Sequence, residues 1–320
     1  MFESICNMIY NFIFYTPNDE VETRRIIKYP DPNVTYPTLI FEEKYFINHR
    51  NIKLYYQKYY PKYKQIISKI IFLHGYASNN SYWAKCSAIK LAHEGHCVYM
   101  LDSEGHGKSD GLWAYIKDFS VLVDDNYRFI QSIKEYEQLK TFLWGDSMGG
   151  ATAIKLFEKN QNIASGAVLV APMIKISDKA KPSKSLEKIL IWLAYYLPTW
   201  PILPNQTSPD SGFHPDIEKH IIYNNPLCYN QKPRLGTALQ LYNTSCDIEK
   251  NIESIKFPFI VIHGKKDKLT EWEHSQILFD KSSSTDKQIF IYDECYHCLL
   301  EGPHKNKVYK DVYNWLQLRA

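Results

Sequence analysis

The sequence predicts an α/β fold, a mostly parallel central sheet with helices on both faces. Three observations carry this. Short apolar runs recur at 70–73, 97–101, 141–144, 167–170, 258–262 and 288–292, and helix-length stretches separate most of them. The connecting loops are short, as in stacked βα units. At Gly145-Asp146-Ser147-Met148-Gly149 one strand turns sharply into a helix around a serine.

Composition narrows the class before any motif is read. The chain has 320 residues, 45% of them apolar, enough for a sizeable core in one large α/β domain or two small ones. The formal charge of +3 is small and spread out, without the basic, aromatic-interleaved face that nucleic acid requires. Seven cysteines, an odd count without regular spacing, argue against a disulfide framework and for a reducing, cytoplasmic setting. Cys295-x-x-Cys298 lacks the second pair a zinc site needs, so neither a metal nor a cofactor is expected. The apolar run 5–15 is too short to span a bilayer, and Glu3 stands where a signal peptide carries basic residues. It reads as a helix packed on the domain, with peripheral membrane contact as the alternative.

Taken in order, residues 1–40 form an N-terminal extension whose part from 16 is polar and proline-dotted, a linker or surface wrap. A hairpin follows, 41–47 and 52–60 about Asn48-His49-Arg50-Asn51. Strand 70–73 ends in His74-Gly75-Tyr76, and helix 82–94 is stopped by Gly95. Strand 97–101 ends in a glycine-rich loop from Asp102 to Gly111, and helix 119–135 leads to the strand before Ser147. The alternation breaks between 173 and 243, where prolines cluster around an apolar helix at 186–197. This segment is read as a helical cap (lid) inserted above the carboxyl edge of the sheet. The core then comprises 41–172 and 244–320, closing with helices at 271–280 and 305–318.

Ligands bind such sheets at the carboxyl ends of the strands, and the chemistry is written there. Small residues two before and two after Ser147 relieve the crowding of a strained strand-to-helix turn, which lifts the hydroxyl above the sheet edge. A serine hydroxyl needs a base, and the base needs an orienting acid. In the serine α/β-hydrolase arrangement both follow the nucleophile, acid first. Asp267 follows a glycine turn at the end of the first late strand, and His297 lies on the loop before the last helix. Asp293 competes as acid but abuts its strand directly, four residues before His297. Anion donors are expected from the backbone N–H groups of Met148 and Tyr76. His74 is read as a brace for its loop and His106 as a structural corner.

These pieces together resemble the monoacylglycerol lipase and lysophospholipase group of α/β-hydrolases, in the plant- or protozoan-like branch. The matching residues are His74-Gly75, Asp102 with Gly105-His106-Gly107-Lys108-Ser109-x-Gly111, Gly145-Asp146-Ser147-Met148-Gly149-Gly150, His263-Gly264-x-x-Asp267 and Tyr296-His297-x-Leu299-x-Glu301. Asn225-Pro226-Leu227 and Lys232-Pro233-Arg234-Leu235-Gly236-Thr237 resemble the segment that ends the group's cap. The likeness runs from about Phe41 to the C-terminus. It implies a triad of Ser147, Asp267 and His297, oxyanion amides at Tyr76 and Met148, and a monoacyl lipid or small ester as substrate. The chain departs from the animal enzymes at Asp146, where they carry histidine, and at Tyr76, where a smaller residue is usual.

The expected function is therefore hydrolysis of a monoacyl lipid, a lysophospholipid or monoacylglycerol, through an acyl-serine intermediate. A broad carboxylesterase for small soluble esters is the alternative, and a non-catalytic binding protein on the same fold the remote one. Trp192, Tyr195, Tyr196 and Trp200 make the cap helix apolar beyond one stripe, as substrate contacts or a membrane-resting face would require.

Overall fold

The computed structural model describes residues 17–28, 36–80, 82–175, 183–201, 212–215 and 225–320. The apolar run 5–15 and Cys6 lie outside them, and the six described cysteines are free thiols. Among the described residues eight strands form one sheet: β1 (Leu39–Ile47), β2 (Lys53–Pro61), β3 (Ser68–Leu73), β4 (His96–Leu101), β5 (Thr141–Asp146), β6 (Gly166–Val170), β7 (Phe259–Gly264) and β8 (Lys287–Tyr292). Their order is β1-β2-β4-β3-β5-β6-β7-β8. The β1–β2 and β2–β4 pairs are antiparallel, and every later pair is parallel.

The period-two alternation of strand side chains divides the interior into two cores. Ile71, Leu73, Tyr99, Leu143, Leu169 and Val261 face one side. Ile70, Phe72, Val98, Trp144, Val168 and Ile262 face the other. Helices α1 (Pro17–Ile26), α2 (Tyr82–His93), α3 (Phe119–Ser132), α4 (Met148–Lys159), α5 (Lys184–Tyr196), α6 (Leu235–Lys250), α7 (Trp272–Lys281) and α8 (Lys305–Gln317) connect or flank the strands. The first core is covered by α3, α4 and parts of α6 and α7 through Phe129, Phe157, Ile248 and Leu278. The second is covered by α2 and α8 through Ile89, Val312 and Trp315. Burial on both sides explains why β3, β4, β6 and β7 read as unbroken apolar runs.

Two parts of the chain differ from the sequence reading. The proline-dotted stretch after residue 16 contains α1, because Pro17 stands at a helix's first position, where its missing N–H breaks no bond. The helix buries Val21 and Arg24. Residue 243 falls inside α6, so the chain is already helical across the boundary drawn there. Arg234 anchors the start of α6: its Nη1 donates to Thr199 O at 2.8 Å and its Nε to Trp113 O at 3.0 Å. Gly236 lies against Pro198, whose oxygen accepts its N–H at 2.7 Å.

Candidate active site

Ser147 begins α4 with φ 54° and ψ −113°. A serine held there costs about 1–3 kcal/mol and persists only where its surroundings dictate it. The Ser147 N–H donates to Val170 O at 2.9 Å, and Ser147 O accepts from Met173 N and Gly150 N, each at 2.9 Å. The flanking glycines are required by contact. A Cβ on Gly145 would lie 2.4 Å from Gly149 O, and one on Gly149 would lie 1.9 Å from Leu73 O. The elbow is thus pressed onto the end of β3, and a Cβ on Gly75 would meet the Ser147 Cβ at 3.4 Å.

Asp267 and His297 meet at the ends of β7 and β8. His297 Nδ1 lies 2.6 Å from Asp267 Oδ2. Asp267 Oδ1 accepts from the N–H groups of Leu269 at 2.7 Å and Thr270 at 3.1 Å. The acid and histidine loops are stitched by Lys265 N to Tyr292 O and Lys266 N to Cys295 O, both at 2.9 Å. Burial would raise the Asp267 carboxyl, but the imidazoles of His297 and His263 outweigh it and hold it well below the usual range. Burial likewise opposes charge on His297, yet the Asp267 carboxylate, aided by Asp146, raises its pKa. Asp293, the competing acid, is 73% exposed and pairs with Lys265 at 2.6 Å.

Sequence reasoning missed two members of this network. His263 Nε2 lies 3.0 Å from Asp267 Oδ2, while its Nδ1 faces Ser275 Oγ at 2.7 Å. The Thr270 hydroxyl lies 2.9 Å from the same carboxylate oxygen and 3.1 Å from Ala171 O. The signal for His263 was its spacing: four residues before Asp267, at the end of the same strand. Asp146, one residue before Ser147, accepts from Trp144 Nε1 at 2.9 Å, and burial pushes its carboxyl up to about 7.

On the opposite side of Ser147 lies the His74-to-Asn80 loop. His74 Nε2 accepts from Ser103 N at 3.0 Å, which leaves Nδ1–H to donate to Gly75 O at 2.8 Å. His106 Nε2 accepts from Ala77 N at 3.4 Å, and Nδ1 faces Glu104 O at 3.1 Å. Burial keeps both imidazoles neutral, pulling His106 down to about 3. Both are therefore engaged as braces. The N–H groups of Tyr76 and Met148 donate to no described residue.

Trp192 and Tyr195 each meet the Tyr196 ring at the surface, tilted and edge-on, with the three residues 60%, 79% and 62% exposed, and Trp200 is half-buried. The open groove lined by Ile40, Tyr60, Lys64 and Tyr136 belongs to the other rim, where β3 and β5 begin. Among the described residues no cluster of three His, Cys, Asp or Glu side chains could hold a metal ion, and no helix is long and apolar enough to cross a membrane.

Residues 64–304 match the family described as serine aminopeptidase, S33. The caffeoylshikimate esterase of Arabidopsis thaliana is 30% identical over 83% of this chain and 82% of its own length. The human monoglyceride lipase is 30% identical over 70% of this chain and 74% of its own. Among solved structures, the monoacylglycerol lipase of Paleococcus ferrophilus superimposes with a TM-score of 0.70 at 25% identity, over 83% of this chain and 99% of its own. The chain thus belongs to the serine aminopeptidase S33 family, as a serine ester hydrolase of the monoacylglycerol lipase-like α/β-hydrolases.

Proposed function

We propose that the protein hydrolyses monoacyl lipids, monoacylglycerol or lysophospholipid, through an acyl-Ser147 intermediate, with His297 as base and Asp267 as its orienting acid. The observation that carries this is the 2.6 Å His297–Asp267 contact at the rim where Ser147 is held at positive φ. Asp267 accepts a hydrogen bond from Nδ1–H, which fixes the tautomer and leaves Nε2 free to take the serine proton as Oγ attacks the ester carbonyl. Negative charge developing on the carbonyl oxygen is met by the Tyr76 and Met148 N–H groups, which no other described group engages. His297 then protonates the departing glycerol or lysolipid alcohol. Water, activated by the same imidazole, releases the fatty acid. The S33 name covers peptidases, but both curated relatives named above are esterases or lipases by name.

The substrate class rests on those lipase relatives and on the exposed aromatic face of α5, where Trp192 and Tyr195 offer apolar area to an aggregated lipid or membrane surface. A small-ester reading is favoured by one specific observation, the 30% identity to an esterase of caffeoylshikimate. A matched panel separates the two: long-chain monoacylglycerol, lysophosphatidylcholine and short soluble esters, each assayed with Ser147→Ala alongside. We expect preference for the long-chain substrates, rising when they are presented as micelles. A fluorophosphonate should label Ser147, and the alanine variant should lose at least about 10³-fold in kcat. Preference for the short esters would overturn the lipid assignment. Turnover retained by Ser147→Ala would overturn the mechanism.

A further inference from the structure

We infer that the N-terminal helix sets the position of the oxyanion loop, with Arg24 as the positioning residue that transmits it; this rests on Tyr76 N–H being an oxyanion donor. The first observation is a cation buried where a surface helix would ordinarily leave it in water. Arg24 is 1% exposed. Its Nη1 donates to Gly107 O at 2.9 Å and its Nη2 to Gly111 O at 2.7 Å. The two carbonyls belong to one turn, so a single planar guanidinium fixes both ends of it. Arg25, the next residue of α1, pairs with Asp110 of the same turn, and Asp110 Oδ2 accepts from Lys53 N at 2.7 Å.

The turn has backbone bonds of its own, Gly105 N to Asp110 O at 2.7 Å and Ser109 N to His106 O at 3.0 Å, but the carbonyls of Gly107 and Gly111 are the ones Arg24 engages. Gly107 has φ +48°, and a Cβ there would fall 1.9 Å from Asp102 Oδ2. That carboxylate links the turn to the oxyanion loop. Its Oδ2 accepts Lys108 N at 3.0 Å, and its Oδ1 accepts Asn80 N at 3.0 Å and Asn80 Nδ2 at 2.9 Å. A second link is His106, also on the turn, whose Nε2 accepts from Ala77 N. Ala77 adjoins Tyr76 and itself sits at φ +60°, a conformation an alanine keeps only when held. Its carbonyl is fastened from the other side by Tyr229 N at 3.0 Å.

The path from helix to donor is therefore short and polar throughout: Arg24, the turn carbonyls, Asp102 and His106, then Asn80 and Ala77, which follow Tyr76 in the same loop. An oxyanion donor must sit within a few tenths of an ångström of its place to be effective. Substrate in its ground state asks less of that donor than the tetrahedral intermediate does. Loosening the turn should therefore lower kcat and leave KM nearly unchanged.

The test uses the full chain with Arg24→Ala and Arg24→Lys, assayed below the melting temperature of each variant. We expect kcat of Arg24→Ala to fall about tenfold or more at near-constant KM, a fraction of the loss of a whole oxyanion donor. Affinity for a trifluoromethyl ketone, which forms a charged tetrahedral adduct, should fall in parallel with kcat. Guanidinium ion added at low millimolar concentration should restore part of the rate, and Arg24→Lys should lie between wild type and alanine. Unchanged kcat, or an equal loss in kcat and in affinity for an uncharged product analogue, would overturn the inference. If the alanine variant does not fold, the lysine variant decides by the same kcat-against-KM split. Failure of the underlying mechanism would show separately, as a wild-type chain whose Ser147 no fluorophosphonate labels.

Discussion

Asp146 shows how much one side chain can tune the site without touching the reaction. Its carboxyl is pushed up to about 7 by burial, against the pull of Trp144 Nε1 and of His297. Above that value it is an anion, and it helps to raise the pKa of His297. In the proposed mechanism His297 works only when neutral, so activity should fall as pH drops through its raised pKa, above the ordinary imidazole value of about 6.5. Asp146→Asn keeps an acceptor for Trp144 and removes the charge. The acid limb of kcat/KM should then move to lower pH, with the variant keeping a larger fraction of its maximal rate at pH 6. A limb that stays or moves upward would show that Asp146 does not bear on the base. Much of this scale was legible in the sequence. The proposed triad of Ser147, Asp267 and His297 was drawn from order along the chain and from strand ends, and the contact between Asp267 and His297 agrees with that order. His263 left a trace in its four-residue spacing from Asp267, but Thr270 left none, because its partner is the same carboxylate oxygen that His297 approaches, a three-dimensional fact no spacing specifies.

At the level of elements, the contact between α4 and the end of β3 decides whether Ser147 and the loop after Leu73, the proposed nucleophile and oxyanion loop, share one frame. A Cβ on Gly149 would lie 1.9 Å from Leu73 O, with His74 O next at 3.1 Å. Backbone cannot yield as a flexible side chain does. Gly149→Ala should therefore destabilise by about 1–3 kcal/mol and slow acylation by about 100-fold for each ångström of displacement. Calorimetry and the rate of fluorophosphonate labelling measure the two effects; a variant with wild-type values for both would show that the elbow has slack. The strands of the parallel half were readable to within about two residues, because buried strands leave compact apolar runs between turn residues. Helix α1 was not, since Pro17 reads as a breaker unless it is known to stand first, and Arg24 reads as surface. Its acceptors lie 83 and 87 residues away, at Gly107 and Gly111. The aromatic residues of α5 were legible as an excess of apolar surface, and their outward direction was not.

Over the whole molecule, buried histidines and buried carboxyls together set the response to acid. His74, His96 and His106 are 3%, 0% and 1% exposed, and burial holds each below its ordinary pKa, His96 at about 4 and His106 at about 3. Unfolded, they titrate near 6.5. Below that value the unfolded chain binds more protons than the native one, so their contribution is full above about pH 6.5 and is lost toward pH 4 and below. Each can remove up to about 1.4 kcal/mol per pH unit. His297 and the carboxyls of Asp146, Asp125 and Glu301 are raised instead of lowered, and they work in the opposite direction until the unfolded carboxyls are also protonated, near pH 4. Urea midpoints should therefore fall most steeply below about pH 4, where the raised carboxyls no longer compensate and the lowered Asp267 also loses its contribution, and a flat profile there would contradict this account.

The one-sided placement of the strand ends has a practical meaning for anyone who wishes to cut or lengthen this polypeptide. Ser147, Asp267, His297 and the loop after Leu73 all follow the strands they depend on, and the parallel ladder pairs Leu73 with Gly145. Residues 62–65 and much of 134–140, by contrast, precede β3 and β5 and are largely exposed. A tag, a new terminus or a fused domain introduced there leaves the ladder's register intact. The far rim of the sheet is the part of this enzyme that evolution, or an engineer, can rewrite while the chemistry stays where it is.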